Sequence, residues 1–507
     1  MKHRKLIWGT LLLASANFIT KCMGFYNRIF LSAQIGAEGI GLYQLILPLY
    51  ALTWSITSAG LTTTISRLTA QENMRQESGN IGRLVKQSVC ISLCISLLLS
   101  GFLFTCSDWI ALHILYDNRT TLSLRLLAFA IPFMAAGSCL RGFFMGLQQM
   151  LIPACSQVLE QVLRIGTIML LAGVFVPKGL SYACFAAVCG IVLGEITSCL
   201  FTLYHYFRFK RRHKLVKRPS LSSMVCLSMI LSMAMPLTAS RIVSSVLSAL
   251  ENILIPQRLV LYGMTNTEAL TAYGELTGMV MPLLMLPSVL LMAFSVSLVP
   301  EISEACATSQ NTRIRRTVSV TLLFTCILGV GAACVFAVFP QEICYIFYRR
   351  SSLGNLLFPL AFLCPMLYAQ TVLHGLLNGL GEQLFLFWCH MISSLLTIGF
   401  VWFGVPYYGM QAFCWGWFCS LLVATLLALH RLYCRTGVRF SISQCFLKPL
   451  LAGGAAALLI RYIIQTGTPS RIFFLLCLTG MGILYLIFLG LLGCFSKENL
   501  KTLRQKI

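Results

Sequence analysis

Cationic side chains lie inside long apolar stretches of the chain, where a charge is costly. In the first stretch Asn17, Lys21, Gly24 and Arg28 recur at helical spacing and so form one polar stripe. An ionisable residue at the bilayer centre costs about 2.5–3.5 kcal/mol on insertion scales, which favours a functional role. Snorkelling to the interface is an alternative for Arg28, near a stretch end, but it suits the mid-stretch Lys21 and Arg241 poorly.

A second polar stripe follows Arg241 in a later apolar stretch. Its members share helical spacing on one face: Arg241, Ser244, Ser245, Ser248, Glu251 and Asn252. Two helices with such stripes, facing each other, predict a wet, positively charged cavity. Arg and Lys are the usual partners of phosphate groups, so this chemistry is recognition of an anionic headgroup.

Four further charges within apolar stretches have alternative interpretations. Glu160 and Arg164 are four residues apart with the acid first, which predicts an intrahelical ion pair of structural role. Glu195 and Glu275 have no partner in local sequence. Each either pairs with a cation across the bundle, which the sequence favours, or carries a coupling proton.

The sequence contains no pattern for catalysis, for ATP hydrolysis or for metal binding. There is no Ser/His/Asp set, no phosphate-binding P-loop and no HExxH helix. The 22 cysteines lie mostly in apolar stretches without zinc-ligand spacing, which favours packing. We therefore expect a non-enzyme with no cofactor and no metal, and a transporter that does not use ATP directly.

The composition predicts an all-α polytopic membrane protein. Of the 507 residues, 58% are apolar and only 10% charged, against about 25% charged in soluble domains. About fourteen stretches have the length that a bilayer needs, and they lie near 6–33, 40–66, 84–106, 121–147, 150–175, 180–206, 223–256, 271–299, 317–339, 355–380, 383–405, 408–430, 449–467 and 472–494. The formal charge of +23 fits cytoplasmic loops that attract anionic membrane lipids, since no folded basic domain is present to bind nucleic acid.

The distribution of Lys and Arg predicts the orientation and the domains. Most of these residues fall in alternate loops, which places the N- and C-termini in the cytoplasm. The N-terminal stretch imitates a signal peptide but continues to about residue 31, which favours a retained helix. We predict an N-terminal lobe at 1–206, a basic linker at 207–220, a second lobe at 221–432, and two further helices with a basic tail at 433–507. The linker could also hold anionic lipid.

Several segments resemble a known family of bacterial exporters. The matching segments run in order from residue 24 to 304: Gly24-Phe-Tyr-Asn-Arg-Ile29, Ile35-Gly-Ala-Glu-Gly-Ile-Gly-Leu-Tyr43, Leu140-Arg-Gly-Phe-Phe-Met-Gly-Leu-Gln-Gln149, Ser156-Gln-Val-Leu-Glu-Gln-Val-Leu-Arg164, Tyr273-Gly-Glu-Leu-Thr-Gly-Met279 and Leu298-Val-Pro-Glu-Ile-Ser-Glu304. They are similar to the stage V sporulation protein B group of polysaccharide exporters, in the multidrug/oligosaccharidyl-lipid/polysaccharide superfamily. In the related lipid II flippase two first-helix arginines face the cavity. Lys21 falls on the first and Asn27 on the second, with Arg28 one residue later.

The resemblance implies a fold and a function. The fold is two six-helix lobes around a central cavity, with two additional C-terminal helices. The function is moving an undecaprenyl-diphosphate-linked peptidoglycan or polysaccharide precursor across the bacterial cytoplasmic membrane, with Lys21, Arg28 and Arg241 gripping the diphosphate as the lobes rock. We expect a monomer, with cell-wall synthesis proteins as candidate partners.

Two other functions stay open at the level of sequence. A cation-coupled multidrug antiporter of the same superfamily would need carboxylates in its cavity, yet the first stretch has no acid and the Asp residues, Asp108 and Asp117, lie in one loop. A scaffold in envelope assembly would gain nothing evident from buried charges.

Overall fold

The computed structural model describes residues 2–75, 77–212, 220–308, 310–438, 443–465 and 471–494. Within these ranges the secondary structure is helical throughout, as predicted. The α-helices of the first half are α1 Lys2–Trp54, α2 Gly60–Met74, α3 Ser78–Thr105, α4 Ser107–His113, α5 Thr121–Gly146, α6 Leu151–Phe175, α7 Leu180–Arg212, α8 Ser223–Leu261 and α9 Asn266–Gly274. Those of the second half are α10 Met281–Met285, α11 Ser288–Ala307, α12 Asn311–Val338, α13 Pro340–Tyr348, α14 Gly354–Ala361, α15 Cys364–Gly379, α16 Gln383–Gly399, α17 Val405–Tyr408, α18 Met410–Thr436, α19 Lys448–Gln465 and α20 Arg471–Leu491.

Short π-helical and 3₁₀ segments interrupt or extend these helices. The π-helical segments are Ser55–Ala59, Glu275–Val280, Phe400–Gly404 and Ser443–Leu447, and the 3₁₀ segments are Asn118–Thr120, Val176–Lys178 and Ser351–Leu353. In the described ranges ten helices are long and apolar enough to cross a membrane, or eleven if the bent pair α14–α15 counts as one span. The expected number of about fourteen is consistent with this and stays a prediction.

Helix α1 contains a break at Gly36, which lies in the gap between two expected spans. Its 53 residues would extend about 80 Å as a straight helix, against about 30 Å of hydrocarbon. Gly36 has φ 70° and ψ −173°, which is not helical and which a glycine adopts at little cost. The expected spans at 6–33 and 40–66 are therefore the part of α1 before Gly36, and the part after it together with α2.

The helices form two compact units. The first comprises residues 1–278 with 401–409, and the second residues 279–400 with 410–507. The first unit includes α8 and α9, because α8 packs on α1 and α2 and α9 packs on α1. The sequence instead places the lobe boundary in the linker at 207–220, of which 213–219 lies outside the described residues. The predicted domain boundaries stay a prediction.

The first unit is built by close helix approaches around an apolar core. Buried side chains of α2, α3, α5 and α8 form one cluster, with Phe143 and Phe144 fully buried in it. Helix α5 approaches α2 so closely that a Cβ at Gly142 would lie 2.6 Å from the Thr62 carbonyl oxygen. At Gly146 it would lie 2.5 Å from that of Ser66. This small-xxx-small spacing is typical of packed membrane helices.

The second unit packs α15 against α11, α12 and α18. The predicted span 355–380 forms α14 and α15, which are bent by 59° at the break between them. Glu382, before α16, is buried and pairs with Arg431 at 2.8 Å and with Arg435, both on α18. Arg461 of α19 donates to Glu342 at 2.9 Å and so forms an ion pair within the second unit.

Candidate functional site

A polar groove of about 390 Å³ lies in the first unit between α1 and α8. Its lining residues come from one stretch of each helix: Gln44, Leu47, Pro48, Ala51, Trp54 and Ser55 on the first side, and Arg241, Ser244, Ser245, Ser248, Ala249 and Asn252 on the second. These stretches belong to the second and seventh predicted spans. The groove thus brings together the stripe that follows Arg241 and residues that the sequence did not single out.

The α1 side of the groove has an irregular backbone. Pro48 lies inside the helix and removes the N–H that would bond the carbonyl of Gln44, one turn earlier. At the other end of the lining, α1 passes into the π-helical segment Ser55–Ala59. Single π-helical turns are frequent at functional sites because they re-aim side chains. Both irregularities lie where α1 faces α8.

The α8 side of the groove presents a row of oriented polar groups. The hydroxyls of Ser245 and Ser55 are hydrogen-bonded to each other across the groove, with 2.5 Å between the two Oγ atoms. The Asn252 side-chain N–H donates to the Ser248 carbonyl at 2.7 Å, and its Oδ1 accepts from the Tyr273 hydroxyl at 3.0 Å. Arg241 is exposed. Hydrogen bonds therefore hold the side chains of Ser55, Ser245 and Asn252 in place within the lining.

The charge of this groove is positive. Arg241 is the charged residue among its lining side chains, and the other polar ones are hydroxyl and amide groups without a carboxylate. A guanidinium offers five N–H donors in a planar fork that fits phosphate oxygens, and neighbouring hydroxyls and amides can donate further bonds. The arrangement can therefore receive an anion such as a phosphate group.

The first-helix residues of the predicted site lie outside this lining. Asn17 and Lys21 are exposed on α1, and Asn27 is buried. The Arg28 guanidinium is half-buried and donates from Nη1 to the Thr277 carbonyl at 3.3 Å. The structure therefore joins Arg241 and Ser248 in one groove and leaves the other cations elsewhere on α1. Their role in the site stays a prediction.

Glu251 on α8 and Glu275 after α9 are the two acids that the sequence predicted near the site, and both are half-buried. Glu251 lies one residue before Asn252 on α8, outside the groove lining. Glu275 begins the π-helical segment Glu275–Val280, two residues after Tyr273. Neither adds a carboxylate to the lining.

A buried polar cluster lies behind the groove, among α1, α6 and α7. The predicted ion pair is present, with 2.5 Å between Arg164 Nη2 and Glu160 Oε1 and with both side chains mostly buried. Glu195 is only 3% exposed and accepts a hydrogen bond from the Tyr50 hydroxyl through Oε1. Tyr50 is thus its hydrogen-bond partner, and the charge of Arg164 on α6 also interacts with Glu195, so the predicted pairing with a cation across the bundle stays a prediction. Glu195 Oε2 is buried without a hydrogen-bond partner among the described residues.

Arg141 connects further hydroxyls near this cluster. Its guanidinium donates to Ser198 Oγ at 2.8 Å and to Ser138 Oγ at 2.9 Å. Ser138 in turn accepts from the indole N–H of Trp54, at 3.4 Å, and Trp54 lines the groove. The polar groups therefore continue from the groove into the helix packing. Within the described ranges, no three His, Cys, Asp or Glu side chains are placed to hold a metal ion.

Sequence reasoning missed Gln44, Tyr50, Trp54 and Ser55. The sequence does carry a partial signal for them, because Pro48 opens an apolar run rich in Ser and Thr. A proline followed by hydroxyl side chains in a membrane helix marks a place where the backbone bonds are re-satisfied locally. No pattern within α1 indicates which helix its polar side chains meet.

The family model for polysaccharide biosynthesis proteins matches residues 6–306, more than half of the chain. The chain belongs to this polysaccharide biosynthesis family. Both stripes and the groove lie within the matched residues. Family membership and the long apolar helices together show a multi-span membrane protein of a transport family rather than an enzyme.

Two proteins of Bacillus subtilis (strain 168) are similar in sequence to this member of the polysaccharide biosynthesis family. Stage V sporulation protein B is 30% identical over 405 residues, 79% of this chain and 78% of that protein. The lipid II flippase MurJ is 24% identical over 412 residues, 75% of this chain and 74% of that protein. The predicted resemblance to sporulation-type polysaccharide exporters is confirmed.

Solved structures show the fold of this family member. The inward closed conformation of lipid II flippase MurJ superposes with a TM-score of 0.66 at 14% identity, covering 94% of this chain and 97% of the other. An inward-facing multidrug resistance MATE transporter of the MOP superfamily superposes with a TM-score of 0.63 at 14% identity, covering 91% of this chain and 100% of the other. The predicted fold class, an all-α polytopic membrane protein, is confirmed.

Proposed function

We propose that the protein is a flippase for a lipid-linked glycan precursor. It moves an undecaprenyl-diphosphate-linked peptidoglycan or polysaccharide precursor across the bacterial cytoplasmic membrane by alternating access. The observation that carries this proposal is the α1–α8 groove, where Arg241 faces hydroxyl and amide groups without a carboxylate. Such a groove suits an anionic headgroup and disfavours a cationic one.

The energetics of a charged residue in a membrane protein support the assignment. An arginine within an apolar helix is costly, and an anion that binds it offsets that cost while gaining charge-assisted hydrogen bonds. The diphosphate supplies several acceptor oxygens for the guanidinium fork, and the Ser244 and Ser248 hydroxyls flank it along α8. Lys21 and Arg28 are proposed as further contacts for the same headgroup along the transport path.

The family supports a lipid-linked substrate. The matching model describes polysaccharide biosynthesis proteins, and one relative is named for flipping lipid II. These names agree with the chemistry of the groove, which by itself selects an anion but not a glycan. The buried polar cluster of Glu160, Arg164 and Glu195 supports the helix packing in this proposal, and Glu195 is its candidate for carrying a coupling proton.

The test is reconstitution in liposomes with a fluorescent undecaprenyl-diphosphate-linked precursor, scored for transfer between leaflets. Arg241→Ala should lower the transfer rate about 10-fold or more, since a hydrogen bond to a charged group contributes about 1.5–3 kcal/mol. Arg241→Lys should retain more activity because the positive charge remains. Arg313→Ala is the matched control, an exposed arginine on α12 of the second unit.

A double variant decides the proposal. Lys21→Ala with Arg241→Ala should abolish transfer while membrane levels stay unchanged. Full transfer by that double variant would refute the assignment of the cationic residues to the headgroup.

A cation-coupled multidrug antiporter is the competing function, because a multidrug resistance transporter shares the fold. The groove disfavours it, since a cationic drug would meet Arg241 without a lining carboxylate to offset the charge. Cells that overproduce the protein should be no more resistant to cationic dyes than control cells. Resistance that depends on Glu195 or Glu275 would instead favour the antiporter.

A further inference from the structure

A second groove, of about 510 Å³, lies in the first unit among α3, α5 and α7. Three of its lining residues are cationic, Arg83, Lys86 and Lys210. The others are glycine, apolar or aromatic residues with one thiol, and they include Val89, Leu93 and Tyr206. The groove shares no residue with the one that holds Arg241.

The charges and the apolar side chains are segregated along this groove. Arg83 and Lys86 lie in the first turns of α3, and Lys210 lies in the last turn of α7. From Arg83 to Leu93 the helix rises about 15 Å, and Val89 and Leu93 continue the lining along that rise. The groove therefore has a cationic mouth and an apolar interior.

We propose that this groove binds an anionic glycerophospholipid of the surrounding leaflet. The lipid phosphate lies at Arg83, Lys86 and Lys210, and an acyl chain follows Val89 and Leu93. Basic pockets between membrane helices bind such headgroups because the cations and the apolar wall match the two parts of one lipid.

The composition of the lining selects this ligand over two others. A soluble anion would leave the apolar interior without a partner. A zwitterionic lipid carries its own ammonium group, which three cations and no carboxylate in the lining would repel. Lys86 and Lys210 are exposed, so both ammonium groups are accessible from the membrane surface.

The mouth of this groove is also where α8 begins. The Arg83 Nη1 donates to the Leu221 carbonyl, and the Leu221 N–H donates to Asn80 Oδ1 at 3.1 Å. The Asn80 side-chain N–H contacts Ser220 Oγ at 3.0 Å and the buried Glu72 at 2.8 Å. A lipid held at Arg83 would therefore stabilise the attachment of α8, the helix that carries Arg241.

The binding test uses the full chain in detergent with phosphatidylglycerol or phosphatidylcholine added, and counts bound lipid by native mass spectrometry. Wild-type protein should retain phosphatidylglycerol at about tenfold lower lipid concentration than phosphatidylcholine. Lys86→Gln with Lys210→Gln should remove this preference while leaving Arg83 and its bond to Leu221 intact. Lys178→Gln with Arg313→Gln is the charge-matched control, with both residues exposed and distant in sequence.

Two further measurements make the test specific to the groove. Leu93→Trp should weaken phosphatidylglycerol binding although every charge remains, because the ring occupies the apolar interior. Soluble glycerol phosphate should not displace the lipid. Equal retention of both lipids by wild-type protein, unchanged binding in either groove variant, or displacement by glycerol phosphate would overturn the proposal. These outcomes concern lipid retention only, so they are distinct from failure of precursor transfer.

Discussion

The hydrogen bond between Tyr50 and Glu195 joins α1 to α7 at a buried carboxylate. Glu195 Oε2 is buried without a hydrogen-bond partner in the described part of the chain, so Tyr50 provides the direct side-chain stabilisation of this group. Removing one partner from a buried pair leaves the other with its full desolvation cost. We therefore expect this buried pair to stabilise the fold more than a single exposed hydrogen bond would.

Tyr50→Phe is expected to lower the free energy of unfolding by about 1–3 kcal/mol. The reason is that Glu195 Oε1 loses its donor while staying buried. Thermal unfolding of the purified protein measures this as a lower Tm. In a Glu195→Gln background the same change should cost less, because a neutral amide is cheaper to leave unpaired, and the difference gives the coupling between the two side chains. Equal costs in both backgrounds would show that the hydrogen bond contributes nothing.

The Glu160–Arg164 pair tests whether an intrahelical ion pair in a membrane helix is structural. Arg164→Met alone should destabilise the protein by about 3–5 kcal/mol, since it leaves a buried carboxylate without its cation. Glu160→Met combined with Arg164→Met should recover most of that loss, because the uncompensated charge is gone. Unfolding and precursor transfer are measured together for each variant. A stable double variant that transfers nothing would assign the pair to transport instead.

Residue-level prediction from sequence succeeded where the partners share one helix. The spacing of Glu160 and Arg164 indicates their contact because residues four apart lie on one face. The spacing from Arg241 to Asn252 likewise indicates one face of α8. Tyr50 and Glu195 are 145 residues apart, and no local pattern relates them. Contacts across helices depend on tertiary packing, which one sequence does not reveal.

Helix α5 approaches α2 closely, and glycine makes this approach possible. Gly146→Ala should lower the Tm and the yield of folded protein, because its Cβ would lie 2.5 Å from the Ser66 carbonyl oxygen. Gly101→Ala on α3 is the matched control, since nothing lies within 4 Å of a Cβ there. Alanine favours a helix over glycine by about 1 kcal/mol, so the control should be neutral or slightly stabilised. Equal stability of both variants would contradict the close approach.

Hydropathy predicted where most helices lie but not every place where a helix bends. The expected span 150–175 corresponds to Leu151–Phe175, and 121–147 to Thr121–Gly146. The break at Gly36 falls in the gap between the expected spans 6–33 and 40–66. The bend between α14 and α15 falls inside the expected span 355–380, where the apolar pattern gave no signal. Mean hydropathy reflects the free energy of transferring a segment into the membrane. A break in a helix depends instead on the backbone angles of one residue and on the side chains that pack against it.

At the scale of the whole molecule, the charge distribution predicts the orientation in the membrane. The cationic mouth of the lipid groove is formed by the first turns of α3 and the last turn of α7, and the last turn of α7 leads into the basic linker at 207–220. The positive-inside rule places such loops in the cytoplasm. The lipid proposed for that groove would then belong to the cytoplasmic leaflet.

Reporter fusions test this orientation. Green fluorescent protein fused after Arg212 should fluoresce and alkaline phosphatase fused there should be inactive, because the fluorescent protein folds in the cytoplasm and the phosphatase requires an oxidising compartment. Fusions after Gly263, beyond the 39-residue α8, should give the opposite pair of results. A fusion after Ile507 should behave like that after Arg212, since the prediction places both termini inside. Active phosphatase after Arg212 would show that the topology is the reverse of the predicted one. Both the Arg83 groove and the basic linker would then lie on the outer face, which contradicts the orientation predicted from the positive-inside rule.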